Sequence, residues 1–529
     1  MLNLEKLDLS LADASATRRG FLGRGLGAAV MLSGVGALVE ACTPSSTQSA
    51  TGSIAKTITC GQVGDFTSFD PWFNQAFNRF MHYQLFNPLV FLDPSDGKYK
   101  PLLATSWNYA PDGSKLTLNL RKGVKFHNGR EMTATDIVKN IQRAQDTSIG
   151  HTLASAASVI ATANATSNYV VDVTYKTPRP ENVALDLFAS MFVIAPEAFA
   201  NVVKAPVGTG PYTLASFQPG VSTTFNRFPG YWSTAARTAT IVVKPFSDSS
   251  AMVLNLQSGA VDIISNPPYN QLISLNGGST KVVGFDVLGA FWCVAINSTA
   301  ANLNNKLVRQ ALAYAVNRDK IVQDVFFGGA LATSTPFYYK TTPVYKPADL
   351  TRYAYDLNKA KQLLSQAGVS NLSFVINSEP PLESTGVAQV IQNDFKAIGV
   401  NTTITQLQSS VGDPAWLQGN FQLYANATAI LPRDLSATFT AVAVYRNDAK
   451  NNCHWTDPTY QQLASQAAST LDASKRVQLY GQLRDQIVED MWCLPVASRP
   501  IHYAMGSKVS GIQDSIGDYV ILDQVGKAS

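Results

Sequence analysis

The chain has 529 residues, 46% of them hydrophobic and 15% charged, and its 41 Lys and Arg against 37 Asp and Glu leave a net charge of +4. At about 150 residues per domain this length predicts about three to four lobes around a sizeable core, which excludes a disordered chain or a charge-rich coiled coil. The charges are scattered, with no basic stripe for nucleic acid, and no zinc, zincin, Gly-x-Ser-x-Gly or phosphate-loop pattern occurs, so composition points to a large non-enzymatic binder with no cofactor and no metal.

Along the chain, Arg18-Arg19-Gly20-Phe21-Leu22 precedes an apolar, small-residue run from Gly25 to Val39. That run is shorter than the 18 or so residues of a spanning helix and reads as the core of a signal peptide. The Arg pair followed by Phe-Leu resembles a twin-arginine export signal, an address read by a bacterial export machine, so residues 1–41 are expected to be removed. Val39-Glu40-Ala41-Cys42 looks like a lipobox with Cys42 as the lipidated residue. Glu40 is unusual inside that motif, and simple cleavage near Ala41 to a soluble product is the alternative. Residues 42–53 form a polar tether by composition. Gly23-Arg24-Gly25-Leu26-Gly27-Ala28 matches a dinucleotide fingerprint only in letters, since no strand precedes it.

The mature chain opens with a strand at Thr57–Cys60 and an aromatic loop through Phe66, Phe69, Trp72 and Phe73, expected to touch a ligand or partner. Leu116, Leu118 and Leu120 alternate as a half-buried strand after the Pro111-Asp112-Gly113 turn. Thr133-Ala134-Thr135-Asp136 is a capping box for a helix carrying Ile137, Val138, Ile141 and Ala144. Gly208-Thr209-Gly210-Pro211 reads as a tight turn into a strand. Strands are expected at 241–246, 261–264, 281–287 and 291–296, with Ser249 or Ser250 capping the helix between the first two and Gly259 closing it. The spacing of Leu303, Leu307, Val308, Ala311, Leu312, Ala315 and Val316 predicts one core-facing helix from 303 to 322. Asp356 caps the next helix, which Gly368 stops, and a strand-helix-strand unit follows over 372–407. The class is α/β.

Several of these stretches together resemble one family. Leu103-Ala104-Thr105-Ser106-Trp107, then Arg121 to Gly129 with Thr133 and Asp136, then Val207 to Tyr212, Tyr231-Trp232, Gln257 to Ile263, Val308 to Leu312 with Asn317-Arg318, and Ile398-Gly399-Val400 are similar, in order, to the signature of peptide/nickel-type (family 5) solute-binding proteins of ABC importers. The signature residues themselves read as scaffold, His127 included. The resemblance implies a periplasmic-binding-protein type II-like fold, with two large lobes and an extra subdomain closing on a solute by hinge motion. Lobe I would comprise 54–86, 201–285 and 491–529, lobe II 87–200, and lobe III 286–490. It also implies a monomer that captures a peptide or peptide-like solute and delivers it to permease subunits. It would bind no nucleic acid and meet the membrane only through the lipid. An opine, sugar conjugate or metal chelate as solute, or a sensor or chaperone role, is the alternative.

Peptide binders of the family hold the ligand ammonium with an Asp that an ungapped alignment places at Leu431, so a plain zwitterionic dipeptide is disfavoured. Arg433 in its vicinity favours an acidic group, and Asp434 matches the family's second acidic position. Phe69, Trp72, Trp292, Tyr338 and Trp416 are the aromatic candidates for lining the cleft. Cys60, Cys293, Cys453 and Cys493 leave disulfide pairing open, with Cys453 and Cys493 the first pair to test.

Overall fold

The computed structural model describes residues 55–73, 80–285, 289–379, 382–430, 434–446, 448–515 and 519–528. The chain begins with β1 (Thr57–Val63), α1 (His82–Leu85) and a hairpin of β2 (Val90–Leu92) and β3 (Tyr99–Pro101). It then builds a four-stranded antiparallel sheet from β4 (Ala104–Tyr109), β5 (Lys115–Leu120), β6 (Ile160–Ser167) and β7 (Val170–Tyr175) in the order β4-β5-β7-β6. Helix α2 (Ala134–Gln145) covers β6 and β7, with α3 (Ala154–Ala157) beside it, and α4 (Glu181–Ser190) packs on the hairpin. The alternating burial of β5 follows its Leu116, Leu118 and Leu120. Thr133 and Asp136 form the expected reciprocal capping box, and Arg130 clamps Asp136 with two bonds of 3.0 and 2.9 Å.

The chain returns through β8 (Tyr212–Gln218), β9 (Ser222–Arg227), β10 (Thr240–Phe246), α5 (Ser249–Gln257), β11 (Ile263–Ser265), α6 (Leu272–Leu275) and β12 (Thr280–Phe285). It then enters β13 (Ala290–Ile296), α7 (Lys306–Ala315), α8 (Arg318–Asp324), α9 (Leu357–Gln366), β14 (Ser373–Ser378), α10 (Leu382–Lys396), β15 (Asn401–Gln406), α11 (Ser409–Gln418) and β16 (Leu423–Ala429). Helices α12 (Leu435–Ala441), α13 (Pro458–Ser469) and α14 (Ala473–Asp490) lead to β17 (Cys493–Ser498) and β18 (Ile501–Gly506). Two large mixed sheets result, one of seven strands ordered β12-β18-β11-β1-β10-β9-β8 and one of five ordered β15-β14-β16-β13-β17. Because β17 pairs with β13, the chain leaves the five-stranded sheet after Ser498, beyond the boundary expected at 490.

Three local expectations change. The helix expected over 303–322 is two helices, because Val316 turns extended and the Asn317 side chain caps α8 by accepting from Lys320 N–H. Arg318 then turns back to donate to the carbonyl of Ala313, near the end of α7, at 3.1 Å. Asp248, rather than Ser249 or Ser250, caps α5 by accepting from Ala251 N–H at 2.9 Å. Gly208 and Gly210 keep ordinary backbone angles, and what they require is closeness: a Cβ would lie 2.1 Å from the Leu85 carbonyl oxygen at Gly208 and 2.4 Å from that of Gln84 at Gly210. His127 fits this approach, its Nδ1 accepting from Gly208 N–H at 3.3 Å and its Nε2 donating to the Gly210 carbonyl at 3.2 Å. Burial lowers its pKa to about 4, so the ring is neutral and structural.

The cores define the mechanical parts. The four-stranded sheet and the seven-stranded sheet share one continuous apolar cluster running from Ile58 through Phe188 and Tyr212 to Val525. The five-stranded sheet instead carries its own core on each face: Trp292, Val294 and Ile296 of β13 face α7 to α10, while Phe291, Cys293 and Ala295 face α12 to α14. Close-packed cores transmit force without deforming, so two bodies are distinguished, the first built on the cluster the two sheets share and the second on the two cores of the five-stranded sheet. All four described cysteines are buried free thiols, Cys453 and Cys493 included.

Candidate functional site

Two stretches of chain join the bodies, one entering β13 at Gly289 and one leaving β17 through Arg499 and Pro500. They are tied together by backbone groups. Arg499 N–H donates to the Ala290 carbonyl at 3.0 Å and Ile430 N–H to that of Gly289 at 2.9 Å. The Tyr338 hydroxyl also donates to the Ala290 carbonyl. Gly289 has φ +87°, and a Cβ there would lie 2.5 Å from the Ile430 carbonyl oxygen, so both conformation and space demand glycine.

Around this crossing, Trp292 rests on Phe326 and the Arg499 guanidinium sits 5.9 Å over its indole. The Trp292 N–H neighbours the Tyr269 hydroxyl and has no acceptor at full hydrogen-bond geometry among the described residues. Burial pushes the Tyr269 phenol up to about 12, partly offset by the Arg499 charge. His502 packs edge-on to Tyr269, and its burial lowers its pKa to about 4. A groove of about 490 Å³ runs along the boundary here, between Pro268–Asn270 of one body and α8 and α10 of the other. A larger cavity, about 1110 Å³, opens elsewhere, against the outer face of α2 at Lys139 and Gln142, within the first body.

The bodies meet a second time at a polar contact that begins four residues after Ile430. The Asn182 amide, in the first turn of α4, donates to Asp434 Oδ2 at 2.5 Å, and its carbonyl accepts from Arg476 Nη2 at 2.9 Å. Asp434 caps α12 through Ser436 N–H at 2.8 Å and also accepts from the Tyr480 hydroxyl. The turn at Gly113 lies against Leu471 in the same contact.

The residues expected to line the cleft are distributed among these places. Trp292 and Tyr338 both reach the crossing, but from opposite faces of the five-stranded sheet, Trp292 in the core against α7 to α10 and Tyr338 in the core against α12 to α14. Asp434 lies at the second contact and is 3% exposed. Trp416 is half-buried and stacks on Phe421 against the core of the second body. Phe69 and Trp72 are interior to the first body: Phe69 packs edge-on to Phe217, while the Trp72 indole donates to the Phe192 carbonyl at 2.9 Å beneath the Arg143 guanidinium. Phe66, Phe69 and Trp72 therefore turn inward, while the half-buried Phe73 lines the larger cavity. Arg433, Leu431 and Cys42 lie outside the described residues. Sequence reasoning missed Asn182, Tyr269, Arg476 and Arg499. Each acts through partners hundreds of residues away or across a fold boundary, and no local pattern marks them.

Two bodies joined by a double crossing, with a second polar contact between them, define a hinge-closing binding protein. The family model for bacterial extracellular solute-binding proteins, family 5, matches residues 98–448, and the chain belongs to that family. It is 24% identical to the glutathione-binding protein GsiB of Escherichia coli (strain K12) over 477 residues, covering 86% of this chain and 92% of that protein. Among solved structures, NikA from Brucella suis in complex with Fe(III)-EDTA superposes with a TM-score of 0.80 at 22% identity, covering 89% of this chain and 99% of NikA. The dipeptide binding protein from Pseudoalteromonas sp. SM9913 in complex with Met-Leu gives 0.75 at 23% identity, covering 89% of this chain and all of that one. The fold is thus the type II periplasmic-binding-protein fold, and the class is a transport component that works outside the cytoplasm with ABC permeases. Among the described residues no helix is long and apolar enough to cross a membrane.

Proposed function

We propose that this chain captures a peptide or peptide-like solute between its two bodies and delivers it, closed, to the permease of an ABC importer. The observation that carries the reading is the double crossing at Gly289 and Arg499, which joins two independently packed cores through a short stretch of chain. In lobe terms, 54–86, 201–285 and the chain from Arg499 onward form lobe I, 87–200 lobe II, and 286–498 lobe III. Lobes I and II move as one. Trp292 and Arg499 wall the solute at the crossing, Tyr338 braces that wall through the Ala290 carbonyl, and Arg433 supplies a cation for an acidic group. The protein acts as a monomer, reaches the far side of the membrane through a twin-arginine signal, and is held there by lipid on Cys42.

Isothermal titration against di-, tri- and tetrapeptides with neutral and acidic side chains tests the solute class. Saturable binding of one peptide per chain is expected, weakened by Arg433→Ala for acidic peptides only. No binding to any member contradicts the peptide reading, and equal affinity of the variant removes Arg433 from it. The mass of the mature N-terminus tests the anchor: a diacylglyceryl cysteine at position 42 is expected, and an unmodified N-terminus contradicts it.

A further inference from the structure

We infer that Asn182, Asp434 and Arg476 form a neutral-on-charged latch that holds the two bodies together without solute and so sets how long the cleft stays shut. The inference rests on the binding-protein reading above and concerns the regulation of that same site. The three residues come from both sides of the boundary, with Asn182 on α4 of the first body and Asp434 and Arg476 at the starts of α12 and α14 of the second.

The chemistry on each side is unequal. Arg476 and Asp434 are an ion pair within one body, Arg476 Nε lying 3.4 Å from Asp434 Oδ2, with the Arg476 side chain 8% and the Asp434 side chain 1% exposed. Each has further partners in its own body. Asp434 accepts from Ser436 N–H and Tyr480, while Arg476 Nη1 donates to the carbonyls of Thr470 and Leu471 at 3.0 and 3.3 Å. Among the described residues, the hydrogen bonds that the first body adds come from an uncharged amide. Asn182 bridges both partners at once, donating to the carboxylate and accepting from the guanidinium, while Arg476 Nε keeps its 3.4 Å ion-pair contact with Asp434. Opening therefore leaves no lone buried charge behind, only a paired one that water reaches. A contact built from two charges on opposite sides would instead strand each of them on opening. Hydrogen bonds to charged groups are stronger than neutral ones, yet among the described residues two join Asn182 to the second body, which suits a joint that opens and closes repeatedly.

Hydrogen–deuterium exchange on the ligand-free exported chain, stripped of solute by unfolding and refolding, tests the latch without a known ligand. In Asn182→Ala, exchange in 179–184 and 470–477 is expected to rise about tenfold over wild type, with β5 and β13 unchanged. Asn182→Asp places a carboxylate on Asp434 and is expected to exceed the alanine variant at pH 7, then fall back toward wild type at pH 4, each pH compared with wild type at that pH. Unchanged exchange at both segments in both variants overturns the latch. A rise that spreads into β5 overturns it too, because Asn182 would then be supporting the body rather than joining two. Since no solute enters the experiment, failure of the peptide panel would leave this result standing, and failure of the latch would leave the transport reading standing.

Discussion

At the crossing, the bodies are joined by main chain: Arg499 N–H meets the Ala290 carbonyl, Ile430 N–H braces Gly289 within the second body, and Gly289 has no room for a side chain. At the second contact they are joined by the side chains of Asn182, Asp434 and Arg476. Backbone bonds are already ordered by the sheets on either side, so the crossing can bend without coming apart. Side-chain bonds must immobilise rotamers each time they form, which keeps their net contribution small and their making reversible. A permanent joint and a releasable one are thus told apart by what they are made of.

The largest effect that would break this contrast is at the crossing. Gly289→Val forces a β-branched residue to φ +87° and into the Ile430 carbonyl, and urea unfolding is expected to show a loss of about 3 kcal/mol or more. Next is acid. His502, 4% exposed beside the crossing, has a folded pKa of about 4 against about 6.5 when unfolded. Between those values the unfolded chain binds the extra proton, so stability is full above about pH 6.5, falls as pH drops toward 4, and is flat below. The loss is about 3 kcal/mol at most, and His502→Phe should remove its share from the measured pH profile. His127 adds in the same window and direction, by less because solvent screens its partly covered ring.

Within the second body, Tyr480→Phe deletes one donor to Asp434 and is expected to lower unfolding stability by about 1 to 2 kcal/mol. Asn182→Ala sharpens the comparison by doing little there. Its effect on global unfolding should not exceed about 1.5 kcal/mol, the size of a tenfold rise in local opening, because the ion pair it touches keeps its own partners. A loss as large as that of Gly289→Val would make the second contact as permanent as the crossing.

What the sequence announces is whatever is local. The capping box at Thr133 and Asp136, the alternation of β5, the Asp356 cap and the glycine after α9 are written in neighbouring letters, and the structure follows them. The split between α7 and α8 was hidden, because apolar spacing runs straight through Val316 and only the cap at Asn317 and the reach of Arg318 reveal it. Gly208 and Gly210 stand out in the letters, but the Leu85 and Gln84 carbonyls that require them lie over a hundred residues earlier. The candidate site was least legible for the same reason. Trp292 and Tyr338 are visible as aromatics, whereas Asn182 is an ordinary helix-start residue until Asp434 and Arg476 are folded against it.

The central claim, enclosure of a small solute between two bodies, is tested most directly by native mass spectrometry of the protein purified from its own host. A mass exceeding the covalent chain by one discrete small molecule, lost on denaturation and restored by adding that molecule back, is the predicted result. A bare covalent mass, together with an unfolding temperature that no peptide shifts, would contradict it.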